Sequence, residues 1–252
     1  MAWPCRLSPT WPRCKLEAAT VRKVLNDQAD GLRRLMAGSP GRLVAVVGSG
    51  PAVGATSVTL NLAAALVQQG KDVLLLDERS GAQSSPDQRE GRLVLIDAVL
   101  DQEGALSPLA AQADNVLVVL QPNAASITAS YACIKRLHYA HALQRLRVLV
   151  NYATDAAEAQ RILTNLAHTG SRYLALALEP AGWVRADPRL AQAQRLNLTV
   201  VEAFQTSPAA IDFRQIASDL LQWPCCPSGS RTPSRPPFVA VSHEAHPLLE
   251  IH

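Results

Sequence analysis

Residues 48–57 carry the clearest chemical signal in this sequence. They read Gly48-Ser49-Gly50-Pro51-Ala52-Val53-Gly54-Ala55-Thr56-Ser57, behind the apolar run LVAVV (43–47) and ahead of the helical pattern VTLNLAAALVQQG. Strand, glycine loop and helix in that order offer backbone N–H groups and a positive helix end to phosphate. Two nucleotide readings compete. The pattern GxxxxGK[ST] needs a Lys before the Ser/Thr to reach the outer phosphates. Here Gly54 and Thr56 are in place, but Ala55 holds the Lys position and Ser49 the leading glycine. Pro51 also removes an N–H donor from the cradle. The alternative is a dinucleotide fingerprint, because Gly48, Gly50 and Gly54 give GxGxxxG. Asp77 would then be the ribose acid at the end of the second strand, with Arg79 near a 2′-phosphate. That alternative makes the protein an NAD(P)-binding Rossmann oxidoreductase. A tight turn with no ligand is the third reading.

Other constellations are thin. The sequence holds no GxSxG elbow, HExxH pair or EF-hand loop. His138 and His141 lie three apart beside Lys135 and Arg136; a solvated helix face explains them better than a metal site. The cysteines are Cys5, Cys14, Cys133, Cys225 and Cys226, which match neither a disulfide ladder nor paired CxxC ligands. Of 252 residues, 24 are Lys or Arg and 21 Asp or Glu, a net charge of +3. That is too little basic excess for a dedicated nucleic-acid binder, so no specific nucleic acid is expected. Neither a secretory h-region nor a membrane-length apolar run appears, so a cytoplasmic protein is expected.

The elements that must position the loop are legible as alternating patterns. The runs LVAVV (43–47), VLLLD (73–77), LVLID (93–97), NVLVVL (115–120), RVLVN (147–151) and LALAL (174–178) read as strands. They are short, Val- and Leu-rich on both faces, and separated by helical patterns, which predicts an α/β, doubly wound, mostly parallel sheet covered on both sides. In such sheets ligands bind beyond the carboxyl ends of the strands. Ahead of this body (42–223), residues 16–37 place Val21, Leu25, Ala29, Leu32 and Leu35 on one helical face. Of 17 prolines, three lie in residues 1–15 and six in residues 224–252, so both ends are expected to be disordered.

Several stretches resemble the flagellar-number regulators of the FlhG (FleN, YlxH) family, within the MinD/ParA group of P-loop ATPases. The run from Asn26 to Leu35, NDQADGLRRL, is similar to that family's DQAxxLR helix, and Ala125–Ala132, ASITASYA, to its PxSITDAYA stretch. More generally, VGATSVTLNLAAAL resembles the P-loop helix, VLLLDE the strand leading to switch I, and LVLIDA the Walker B strand. Asn151, Asp187-Pro188 and Ser207-Pro208-Ala209 fall where the family has a VVN strand end, a PxDP turn and an SPA helix start. The resemblance implies a P-loop fold over 42–223. It implies ATP contacts at Gly48, Gly50, Gly54, Ala55, Thr56, Ser57 and Asn151, and Mg²⁺ at Thr56, Asp77 and Asp97.

The departures from that family are chemical. Relatives carry KGGxGK[ST], and both Lys positions are replaced here, by Gly50 and Ala55. Their switch I has DxD; Asp77 stands, but Arg79 replaces the second, water-orienting acid, and Arg185 replaces a proline of the adenine-side loop. Phosphoryl transfer is almost wholly positioning and charge stabilisation, so these losses predict a pseudo-ATPase in which ATP and Mg²⁺ bind weakly or not at all. The resemblance further implies that residues 16–37 contact FlhF, a GTPase of the signal-recognition-particle type. Gln28 would orient a water, Asp27 and Arg33 would fix register and Leu32 would anchor. Basal-body switch (C-ring) proteins or a flagellar transcription activator are further expected partners. The last helix, near 208–223, carries Asp212 and Asp219 and reads as packed on the body, so no stable membrane anchor is expected; partners would bring the protein to the cell pole or inner membrane face.

Overall fold

The computed structural model describes residues 42–80 and 92–224. Six strands form one sheet: β1 (Arg42–Gly48), β2 (Val73–Asp77), β3 (Leu93–Ala98), β4 (Asn115–Leu120), β5 (Arg145–Ala153) and β6 (Ala177–Arg185). The helices are α1 (Ala55–Gln68), α2 (Ala124–His141), α3 (Ala156–Leu174), α4 (Pro188–Arg195), α5 (Val200–Ala203) and α6 (Pro208–Gln222). Short 3₁₀ turns lie at Glu78–Ser80 and Ala110–Gln112. The expected terminal tails and the 16–37 helix, with Asp27, Gln28, Leu32 and Arg33, lie outside the described residues.

Every strand pair is parallel, in the order β2-β3-β1-β4-β5-β6. Side chains alternate across the pleat, so consecutive residues of one strand serve different layers. Val44 and Val46 of β1 join Leu62 and Leu66 of α1, Leu190 of α4 and Phe213 of α6 in one core layer. Leu43, Ala45 and Val47 join Ile134 and Leu137 of α2 and Leu163 and Leu166 of α3 in the other. Both faces are therefore dry, which is why β1, β3 and β4 read as unbroken apolar runs. Among the described residues no helix is long and apolar enough to cross a membrane.

The sixth strand departs from expectation. LALAL (174–178) is not one element: Leu174 ends α3, Ala175 turns left-handed at φ 49°, and β6 starts at Ala177. Alternating Leu and Ala satisfy both the last turn of a helix and the first residues of a strand, so the pattern hides the boundary. The strand then runs through Pro180 and Gly182, breakers that an edge strand tolerates because one side of its ladder is open. Ala175 is exposed, so its methyl packs on little while its backbone carries left-handed strain. Ala175→Gly is expected to stabilise the protein by about 0.5 kcal/mol after the added unfolded-chain entropy is set against the strain. The thermal midpoint should rise by roughly 1–2 °C; an unchanged or lower midpoint would refute the strain account.

Candidate functional site

The order in which strands are added reverses at β1: β3 lies on one side of it and β4 on the other. A crevice opens at such a switch point beyond the carboxyl ends of the strands, and the glycine loop sits there. Gly48 closes β1, and the Ser49 N–H donates to the Val119 carbonyl at 3.0 Å. The Gln121 side-chain amide donates to the Ala52 carbonyl at 2.9 Å, and the Asn151 amide to the Val53 carbonyl at 3.0 Å. Two neighbouring strand ends thus hold the loop from below. Asn151 is aimed by an irregularity between Val150 and Ala153 in the β5–β6 pairing, where Tyr152 adopts φ 59°. Bulges beside a site often re-aim a side chain in this way.

The three glycines are not equivalent. Gly54, the residue before α1, has φ +85°, and a Cβ there would lie 2.5 Å from the Asn151 amide nitrogen. Gly48 faces the returning loop, and a Cβ there would lie 3.1 Å from Val53 Cγ2. Gly50 has room, since its nearest neighbour would be Ala129 at 3.9 Å. Sterics therefore account for Gly48 and Gly54 but not for Gly50, where relatives of the resembled family have Lys.

At the mouth of the loop, Thr56 in the first turn of α1 donates its hydroxyl to Asp97 Oδ2 at 2.6 Å. Asp97 lies in β3, in register with Val46 of β1 on one side and Asp77 of β2 on the other. It is 2% exposed, and its Oδ1 has no hydrogen-bond partner. Burial pushes its carboxyl above the usual carboxylate range, opposed by the Thr56 hydrogen bond and by the charge of Arg79. The structure thus joins Thr56 to Asp97 and sets Asp77 alongside. Asp77 Oδ1, however, accepts the Arg79 backbone N–H at 2.9 Å and fixes the 3₁₀ turn that follows β2. Glu78 accepts the Val99 N–H at 3.0 Å and the Ser107 hydroxyl. The Arg79 guanidinium reaches across to Thr56 Oγ1 at 2.9 Å. Mg²⁺ demands close octahedral oxygen ligands, and the threonine oxygen it would need is already shared by a carboxylate and a guanidinium. The residues present do not fit that ion as they stand.

Ala55 is buried and Ser57 half-buried at the α1 entrance. Asn61 donates to the Ser57 carbonyl at 2.8 Å, while its Oδ1 accepts the Val200 N–H at 2.9 Å, which ties α1 to α5. Arg185, at the end of β6, grips Asp212 of α6 with two side-chain N–H bonds of 2.9 and 2.7 Å. Asp187 caps α4 through the Arg189 N–H. His138 Nδ1 pairs with the Leu143 carbonyl, and His141 Nε2 accepts the Leu106 N–H. Both histidines are thus structural ties rather than members of a solvated face. Among the described residues no group of three His, Cys, Asp or Glu is placed to hold a metal. Gln121 and Tyr152 escaped the sequence reading; the position of Gln121 directly after the fourth strand was the available signal.

The dinucleotide alternative fails on strand order. A Rossmann sheet runs 3-2-1-4-5-6, with the second strand beside the first. Here β3 separates them, which carries Asp77 about 10 Å from β1 at two strand spacings. The strand that lies next to the loop strand is instead β3, which carries Asp97.

The chain is similar to antiactivator FleN of Pseudomonas aeruginosa, 28% identical over an alignment that covers 73% of this chain and 88% of the relative. It also superposes on MinD cell division protein of Aquifex aeolicus with a TM-score of 0.54 at 17% identity, covering 74% of this chain and 99% of that one. The chain has the fold of the MinD/ParA ATPases. MinD of Pyrococcus horikoshii, solved in complex with Mg-ADP, matches with a TM-score of 0.51 at 14% identity, over 71% of this chain and 96% of that one. No protein-family model matches the chain.

Proposed function

We propose that this FleN-like chain regulates flagellar number or placement and flagellum assembly, and that it acts by contact rather than by ATP turnover. The observation that carries the reading is the likeness to antiactivator FleN along 88% of that protein. Support for lost hydrolysis comes from the site itself: Ala55 and Gly50 bring no charge to the loop, and the guanidinium of Arg79 stands where a water-orienting acid is needed. ATP and Mg²⁺ then bind weakly or not at all. The contact is made by the DQAxxLR-like segment, with Gln28 presented to the catalytic centre of an FlhF-type GTPase and Asp27, Leu32 and Arg33 holding it there. A flagellar transcription activator is a second partner, in keeping with the relative's name, and basal-body switch proteins are a third. The protein works in the cytoplasm, brought to the cell pole or inner membrane face by these partners.

GTP turnover by FlhF from the same organism, alone and with this chain, tests the contact. Stimulation that Gln28→Ala abolishes is the expected result. No stimulation of an active, GTP-loaded FlhF overturns the activator reading.

A further inference from the structure

Among the described helices, α2 to α6 each have a side chain accepting a first-turn N–H: Asn123, Asp155, Asp187, Thr199 and Ser207. Helix α1 does not; Gly54 precedes it and supplies no side-chain cap. The first N–H groups of a helix have no partner within it, so those of Ala55, Thr56 and Ser57 face outward toward the loop. Beside them lies a buried polar atom with no partner: Asp97 Oδ1, on the carboxylate whose other oxygen holds Thr56. Ser49 Oγ, in the loop itself, is likewise buried and unpaired. The free helix end and the Ser49 hydroxyl are donors left for an acceptor such as a phosphate, while the orphaned Asp97 oxygen calls for a donor or a cation beside it.

We propose that Arg79 is this site's own cation: its guanidinium takes the place of a divalent ion at Thr56 and Asp97, so the loop receives the phosphate of a nucleoside di- or triphosphate without Mg²⁺. Arg79 Nη1 lies 2.9 Å from Thr56 Oγ1, and that hydroxyl gives its proton to Asp97. A guanidinium stays charged at every physiological pH and has a planar fork that matches phosphate oxygens two at a time. Asp77 Oδ1 accepts the Arg79 N–H, and Glu78 accepts the Val99 N–H and the Ser107 hydroxyl, so both carboxylates brace the 3₁₀ turn that carries Arg79. A second cation at Thr56 would sit against the guanidinium and repel it. Arg79 therefore both supplies positive charge to a phosphate and excludes the divalent ion. It brings one charge where a P-loop Lys and Mg²⁺ together bring three, so binding is weaker than in a complete P-loop.

The test is calorimetric titration of the full chain with ATP and with ADP, in Mg²⁺ and in EDTA, for wild type, Arg79→Ala and Arg79→Lys. Wild type is expected to bind equally in the two buffers, within about twofold, and Arg79→Ala to lose about tenfold in EDTA and to regain it with Mg²⁺. Arg79→Lys should keep the indifference to Mg²⁺ with reduced affinity, having charge without the fork. Arg79 is exposed, so the variants should keep a cooperative ligand-free melt, which excludes misfolding. A gain of about tenfold for wild type on adding Mg²⁺ overturns the proposal, as does wild-type affinity of Arg79→Ala in EDTA. Failure of wild type to bind either nucleotide also overturns it. None of these outcomes touches the FlhF reading, which the GTP-turnover assay decides separately.

Discussion

Gly54→Val is expected to be among the most damaging single changes in the domain, lowering stability by about 3 kcal/mol and the thermal midpoint by roughly 6–12 °C. Two independent costs combine. The backbone at Gly54 is left-handed, φ +85°, which costs a residue with a Cβ about 1–2 kcal/mol and a β-branched one more. The Cβ would also overlap the Asn151 amide nitrogen at 2.5 Å, and that amide cannot simply retreat because it holds the Val53 carbonyl. Forced overpacking adds about 1–3 kcal/mol. A double-mutant cycle with Asn151→Ala separates the two. In that background Gly54→Ala should lose its steric part and keep its backbone part, a coupling of about 1 kcal/mol. Additive effects would show that the clash is relieved by loop movement instead.

The second large effect lies at the opposite end of the sheet. Arg147 of β5 has a side chain only 8% exposed, with Nη2 2.6 Å from Glu179. Its Nε donates to Asn115 Oδ1 at 3.3 Å, and its guanidinium stacks 4.2 Å from the Trp223 ring centroid. Burial lowers its pKa, with Glu179 opposing, yet the group remains charged at any pH the protein meets. Arg147→Ala empties this space and leaves Asn115 and Trp223 without their partner, a loss of about 3 kcal/mol. Glu179 contributes less to that loss because it is a third exposed and retains Arg145 at 3.1 Å. Arg147→Met refills most of the volume without the charge and should cost less than half as much, since apolar substitutes for buried ion pairs are well tolerated. Denaturant titration of both variants checks this. Equal losses for Ala and Met would mean that the polar contacts, not the packing, hold the position.

Much of this architecture was legible in the sequence because the sheet is dry on both faces. Runs such as NVLVVL and LVLID have to be buried strands, and the glycine loop between LVAVV and VTLNLAAAL had one place to go in a parallel sheet. The boundary at Ala175 was not legible, because Leu and Ala alternate equally well through a helix end and a strand start. Within the site, the pairing of Thr56 with Asp97 could be expected from strand ends. The grip of Asn151 on the loop could not, since it depends on an irregularity at Tyr152 that no local composition signals. The reach of Arg79 to Thr56 spans 23 residues and two elements, and only the strand order brings them together. The same order speaks against the dinucleotide reading, which the glycine spacing left open.

The first and last described segments are fastened to each other. Arg42, at the start of β1, donates to the Leu221 carbonyl at 3.1 Å and also to that of Trp223, and Asn115 donates to the Pro224 carbonyl at 3.1 Å. Chain therefore enters and leaves the body at one pole, while the glycine loop crowns the other, about 20 Å away along the seven residues of β1. Any protein that pulls on the residues before Arg42 or after Pro224 acts first on this clasp, at the end of β1 away from the loop. The clasp and the glycine loop are thus set apart like a mooring line and a masthead on the same hull.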